Sequence, residues 1–297
     1  MQIQTYEDLL ACLDAALAFC ETLGLAQGSV PGRFGDYRRR IERLIGFITA
    51  ERNGQGKEED RQELRDDELE YVMALTESMQ FVDVVPYLQA CVADLRRSKV
   101  RDVLGGPPSP HDETPVANHA RNTLFEIAVA SKFWRARQRP NLGKGADVEV
   151  NFDGSDYRIE CKRPFSPTRV ESLIEQVGGQ LRRRLAERQD GARGLIALSY
   201  SKIREGPGFA EVQDEQEAIT RLPEELRVES QRIAPVWGPM DEDVVAGVML
   251  HLIAPFKLRA PRLYVTAQEL FVVARQGTRY SPDLRRMTTA LQEANRR

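Results

Sequence analysis

The stretch GADVEVNFDGSDYRIECKRP, Gly145 to Pro164, decides the fold. Asp153-Gly154 reads as a two-residue hairpin loop. A type I′ turn needs positive φ at both central positions, which Gly adopts freely and Asp better than most residues. With those two in the loop, residues whose numbers sum to 307 face each other, so Val150 opposes Tyr157, Val148 opposes Ile159 and Ala146 opposes Cys161. One face of the ribbon is therefore apolar and predicted to lie on a core. The other face pairs Glu149 with Arg158 and Asp147 with Glu160, and Lys162 points to the same side.

Like charges directly opposite on paired strands repel, with Cβ atoms about 4.5–5.5 Å apart. The Asp147–Glu160 pair therefore asks for a cation. Hard carboxylate oxygens at such a spacing suit Mg²⁺, with Mn²⁺ as a substitute. The bland alternative is a solvated face on which the two carboxylates splay into water.

The flanks extend the pattern. Before the hairpin, residues 116–137 predict a helix with Ala120, Leu124, Ile127, Ala128 and Phe133 inward. Glu126 borders its apolar sector, through Val129, Ala130 and Phe133, and a carboxylate there costs desolvation unless a charge meets it. After the hairpin, Ser166 at the N-cap and Pro167 at N1 predict a helix start. Val170, Leu173, Ile174, Val177, Leu181 and Leu185 form its apolar stripe, with Gln176 and Gln180 one turn apart beside it. Gly178-Gly179 costs about 1 kcal/mol per residue against Ala in a helix, which predicts a close backbone approach there. Arg182, Arg183 and Arg184 wind around the helix, and one or two of them are expected to reach phosphates.

"GLIALSY", Gly194 to Tyr200, is an apolar run of strand length, expected parallel to the Glu160 strand through a right-handed crossover. Residues 201–242 read as a loop with irregular helices, 244–253 and 263–273 as further strands, and 283–295 as a closing helix. The fold class expected is α/β, a mixed central sheet flanked by helices, preceded by an all-α N-terminal region. In that region Leu9, Leu10, Leu13, Leu17 and Cys20 mark a first helix, and Ile41, Leu44, Ile45 and Ile48 a second over 35–52. The charged run from Asn53 to Tyr71 reads as a loop leading into a third, and Val84 to Leu95 as a fourth. Gly105 to Pro115, GGPPSPHDETP, reads as a linker, giving a helical domain over 1–104 and a second domain over 116–297.

Asp147, a turn, then Glu160-Cys161-Lys162 resembles the signature of the PD-(D/E)XK nuclease superfamily, the restriction-endonuclease-like fold. The residue before the Asp is Ala146 rather than Pro, as in relatives with a looser motif. The resemblance covers about residues 116–200. It implies a metal held by Asp147, Glu160 and the backbone carbonyl of Cys161, and Lys162 assisting the attacking water. It also implies Glu126 acting through a metal-bound water or a second ion, and a Gln near the site, Gln180 in preference to Gln176. Lys144, Arg163, Arg182, Arg183 and Arg184 are then candidates for contacting nucleic acid. The activity implied is metal-dependent phosphodiester hydrolysis, of DNA rather than RNA, by an endonuclease of defence, restriction or repair. The alternatives are a nuclease-like domain that binds nucleic acid or a protein without cleaving, and a structural subunit whose acidic pair is incidental.

Composition agrees with an ordinary soluble protein: 41% hydrophobic and 29% charged residues. Cys12, Cys20, Cys91 and Cys161 show no CxxC pairing, so a reduced, cytoplasmic setting is expected. His111, His119 and His251 are too scattered for zinc, and His251 in its apolar run reads as a packed residue. The N-terminus lacks a basic segment followed by an apolar one, and the longest apolar run, Val244 to Phe256, falls short of the ~20 residues that span a bilayer. The net charge of −3 conceals an asymmetry. Residues 1–104 carry 13 Lys/Arg against 19 Asp/Glu, whereas residues 116–200 carry 15 against 10. The second part should attract a polyanion and the first should not. The N-terminal helices show no catalytic spacing, and scaffolding, dimerisation or docking of a partner is the role expected of them.

Overall fold

The computed structural model describes residues 5–25, 32–109, 112–114, 118–143, 145–188, 190–204, 209–259, 264–275 and 277–296. The chain divides into two compact units, Met1–Leu124 and Phe125–Arg297. Among the described residues the first is helical throughout: α1 (Tyr6–Thr22), α2 (Arg33–Arg52), α3 (Glu58–Asp66), α4 (Glu68–Ala90), α5 (Ala93–Leu104) and the start of α6 (His119–Arg135). Thr5 and Asp8 open α1 with a reciprocal capping box, satisfying two backbone N–H groups that a helix start leaves without partners. The core is formed by Leu9, Leu13, Phe34, Tyr37, Ile41, Phe81, Leu88 and their neighbours.

Two expectations are corrected here. The charged run after Asn53 is not all loop, because Glu58–Asp66 closes into α3 with three acidic residues in its first turn, where the helix dipole favours them. The fourth helix does not begin at Val84. Instead α4 continues through Pro86 to Ala90, and α5 starts at Ala93 after a break at Cys91-Val92. A proline inside a helix costs about 3 kcal/mol. In α4 the burial of nearly every side chain from Tyr71 to Leu88 offsets it.

At the heart of this unit lies a buried charge network. Glu77 accepts from Arg121 Nε at 2.6 Å and pairs with Arg33 Nε at 3.3 Å, while Arg121 also donates to the Tyr37 hydroxyl at 3.1 Å. The Tyr37 hydroxyl in turn donates to the Pro108 carbonyl at 2.9 Å, which ties the Gly/Pro-rich stretch to the helices. The division between the units falls further on, inside α6.

The second unit is mixed α/β. Its elements after α6 are β1 (Asn141–Leu142), β2 (Val148–Phe152), β3 (Ser155–Lys162), α7 (Val170–Arg188), β4 (Arg193–Ser199), β5 (Glu211–Val212), α8 (Glu215–Trp237), β6 (Gly247–Leu258), β7 (Tyr264–Ala274) and α9 (Ser281–Arg296). The strands form one seven-stranded sheet in the order β1-β2-β3-β4-β6-β5, with β7 also paired to β6. β2 and β3 are antiparallel, β3, β4 and β6 run parallel, and β7 returns antiparallel. One face of the sheet packs Ile196, Leu198, Val248, Leu250 and Leu252 against Ile174, Val177 and Leu181 of α7 and Ala218, Leu222, Leu226 and Ile233 of α8.

Among the described residues, the part of 201–242 before Glu215 is largely loop, as expected, but the irregular helices expected after it are one regular element. This is α8, a 23-residue helix with Pro223 and Pro235 inside it. Pro223 lies on the exposed side, where water can hydrate the carbonyl that it leaves without a donor, and the buried stripe from Ala218 to Trp237 holds the helix on the sheet. Ser166 caps a short 3₁₀ turn, Pro167–Arg169, that leads into α7, and its side chain makes no capping bond to the backbone. His251 is buried, as read. Its ring lies 5.1 Å from Phe125, with Gln268 at 2.9 Å and Ser199 at 3.4 Å from its two nitrogens. Among the described residues no helix is long and apolar enough to cross a membrane.

Candidate active site

The site is built by the β2–β3 hairpin. Asp153 and Gly154 have φ of 50° and 80°, the two positive values a type I′ turn requires, and Asn151 accepts the Gly154 N–H at 3.2 Å. The turn fixes the register: Val150 opposes Tyr157, Glu149 opposes Arg158 and Val148 opposes Ile159. Asp147 stands one residue before β2, beyond the last of these pairs. Val148, Val150, Tyr157, Ile159 and Cys161 are all buried on the apolar face.

The charged face is not open to water, because α7 lies over it. Glu160 is only 1% exposed. Arg184 of α7 forms an ion pair with its Oε1, and Lys162 Nζ stands 3.7 Å from its Oε2. The same ammonium is 3.4 Å from Asp147 Oδ2, so one lysine bridges the two opposed carboxylates. Asp147 Oδ2 also accepts the Cys161 N–H at 2.8 Å. A strand residue presents its N–H and C=O to the same edge, so the Cys161 carbonyl faces the Asp147 side as well. Side-chain exposures of 22% for Asp147 and 27% for Lys162 leave this corner of the sheet in reach of solvent. It lies at the C-terminal ends of the parallel strands β3 and β4, where Lys162 sits beside Leu198. Open α/β sheets bind their ligands at that end.

Burial, and then the Asp147 charge, raise the Glu160 carboxyl above its usual range, while Lys162 and Arg184 pull it back. The Cys161 thiol, on the opposite side of the strand, is raised well above its usual value by burial, then by Asp147 and Glu126. That thiol is therefore no nucleophile near neutral pH. Glu126 is half-buried on α6, and its charge is among those that raise the Cys161 thiol.

Further along the charged face, Arg158 meets Glu149 at 3.8 Å and also pairs with Asp190, while Arg188 donates to Glu149 at 3.0 Å. Gln180 is half-buried, one turn before Arg184 on the same side of α7, and Gln176 is exposed a turn earlier. Arg182 and Arg183 are exposed, and Arg163 is partly so. Lys144 lies outside the described residues. Of the three consecutive arginines read as phosphate contacts, Arg184 is instead engaged with Glu160. The pairing was not foreseen, although Gln180, Arg184 and Arg188 recur every four residues and so share one helix face.

The corner thus gathers two carboxylates, one bridging ammonium, one guanidinium and a backbone carbonyl. Among the described residues no group of three or more His, Cys, Asp or Glu side chains is gathered about one point as a metal site. No protein-family model matches the sequence, and no curated protein matches it.

Proposed function

We propose that the second unit is a metal-dependent nuclease of the PD-(D/E)XK kind, acting on DNA in preference to RNA, with its active site at the open end of the β2–β3 hairpin. The observation that carries this reading is the bridging of Asp147 and Glu160 by Lys162, at 3.4 and 3.7 Å. Two carboxylates turned toward one cation, one of them almost wholly buried, form an environment that favours positive charge. The donors suit Mg²⁺, which takes one or two carboxylates and keeps waters for the rest. Asp147, Glu160 and the Cys161 carbonyl would hold it. When bound, such an ion neutralises the phosphate and acidifies a water.

The chain's own groups supply the remainder. Lys162, held beside both carboxylates, would orient the attacking water or neutralise charge developing on the phosphate. Glu126, half-buried on α6, would act through a metal-bound water or a second ion. Gln180, on the α7 face above Glu160, would position substrate, and the exposed Arg182 and Arg183, with the partly exposed Arg163, would contact the backbone. The second reading, binding without cleavage, is favoured by one observation: Lys162 and Arg184 already neutralise both carboxylates.

Incubation with single-stranded, duplex and branched DNA and RNA, in Mg²⁺, Mn²⁺ or EDTA, separates the two. Metal-dependent cleavage that is lost in Asp147→Ala, Glu160→Ala and Lys162→Ala, each still folded by circular dichroism, is the expected result. Cleavage retained by all three variants would sink the proposal, and binding without cleavage in every metal would leave the second reading.

A further inference from the structure

Arg184 occupies the side of Glu160 from which the carboxylate is still reachable. Its guanidinium pairs with Glu160 Oε1, yet 41% of its side chain is exposed, whereas that of Glu160 is 1% exposed. It is therefore the outermost of the charges around this carboxylate. Its neighbours on α7, Arg182 and Arg183, are exposed but point to other sides of the helix, so Arg184 is the one of the three that a phosphate brought to the Glu160 corner meets.

Counting formal charges at the corner gives two carboxylates, Asp147 and Glu160, against two cations, Lys162 and Arg184. The group is neutral as it stands. A divalent ion added to it would raise the charge to about +2 in a partly buried place, which is costly. If Arg184 swings out, the same ion leaves about +1, and a phosphate diester brought in by the substrate cancels it. A guanidinium suits the exchange, because its planar fork binds carboxylate and phosphate with similar geometry.

We propose that Arg184 is a gate on the metal site: it holds Glu160 in the absence of substrate and transfers to a backbone phosphate when nucleic acid binds, freeing the carboxylate for the ion. This rests on the nuclease reading above. It adds that metal and substrate bind cooperatively, so the free protein binds metal weakly. By reciprocity, whatever tightens metal binding in the presence of nucleic acid tightens nucleic-acid binding in the presence of metal.

Arg184→Gln and Arg184→Lys test it with the full chain, and neither readout depends on turnover. Titration with Mn²⁺ alone, by calorimetry, is expected to show roughly tenfold tighter binding to Arg184→Gln than to wild type, since loss of one partner leaves a buried charge uncompensated. Arg184→Lys, which keeps the cation, should stay close to wild type. Binding of a short DNA duplex in EDTA, where metal-dependent cleavage is impossible, should show a salt dependence reduced by about one ion in Arg184→Gln. Thermal unfolding guards against misfolding: Arg184→Gln should be the less stable without metal and gain more from Mn²⁺ than wild type does. Equal or weaker Mn²⁺ binding by Arg184→Gln, or an unchanged salt slope, overturns the gate while leaving the nuclease reading in place. No Mn²⁺ binding by any of the three proteins, even with the DNA duplex present, overturns both.

Discussion

A carboxylate at 1% exposure has lost nearly all its hydration, and Glu160 recovers part of that loss from Arg184 and Lys162. Its pKa still lies above the ordinary value, with burial as the leading cause. A raised folded pKa means that the stability tied to this group is fully present below the unfolded pKa and declines as pH rises through the folded one. Where it is ionised, then, Glu160 subtracts from stability relative to its protonated form. Glu160→Gln keeps the shape and removes the charge, while Lys162 and Arg184, both partly exposed, can rehydrate. The variant is expected to lose cleavage and to melt no lower than wild type, a trade of stability for function. A loss of more than ~1 kcal/mol in thermal or urea unfolding would mean that the ion pairs outweigh the burial. At this scale the opposition of Asp147 and Glu160 was legible in the sequence, because Asp-Gly admits essentially one turn and the turn fixes every pair behind it. The role of Arg184 was not. Three consecutive arginines look alike in a sequence, and which one turns inward depends on how α7 docks on the sheet.

Among the elements, α7 carries both the apolar stripe and the charges that cover the hairpin, and its two adjacent glycines behave differently. A Cβ added at Gly178 would stand 2.8 Å from Met240 Sδ and 3.1 Å from its Cε, whereas one added at Gly179 meets nothing within 4 Å. The close approach expected at this pair thus exists only at Gly178, and a side chain makes it. Alanine is favoured over glycine in a helix interior by up to about 1 kcal/mol. Gly179→Ala should therefore stabilise the protein by about that amount, and Gly178→Ala should gain less or lose, since Met240 must move. Equal gains in urea unfolding would show that Met240 yields without cost. The α8 and α4 helices teach the complementary lesson. Proline is a strong local stop signal, and both helices run through one because tertiary burial outweighs it. The amphipathic helices α1, α2 and α7 were legible from their spacing, but α4 is buried on nearly all sides and offers no stripe from which to read its extent.

At the scale of the whole molecule, the α/β class and the helical N-terminal half were legible because strand and helix periods alternate in the second unit and only the helical period recurs in the first. The seven-stranded order was not, since the place of β5 beside β6 depends on pairing between distant segments that no local pattern encodes. What the two units share is a set of buried groups that are neutral at physiological pH. In the first, burial pushes the Cys20 thiol from 9.0 up to about 12 and raises the Tyr37 and Tyr87 phenols far above their ordinary range. In the second it raises Cys161 and Tyr200. All five shifts have the same sign. Each group keeps its proton more tightly when folded, so its contribution is fully present below the unfolded pKa and is lost as pH rises through the folded one. The contribution of these groups should accordingly hold steady up to about pH 9 and then fall by about 1.4 kcal/mol per pH unit for each such group titrating in the unfolded chain. For Cys20 the window runs from 9.0 to about 12. Urea unfolding followed between those limits should show the decline, and Cys20→Ala, weaker at neutral pH through the small cavity it leaves, should decline less steeply. Parallel curves for the variant and the wild type would mean that Cys20 keeps its thiol no better folded than unfolded.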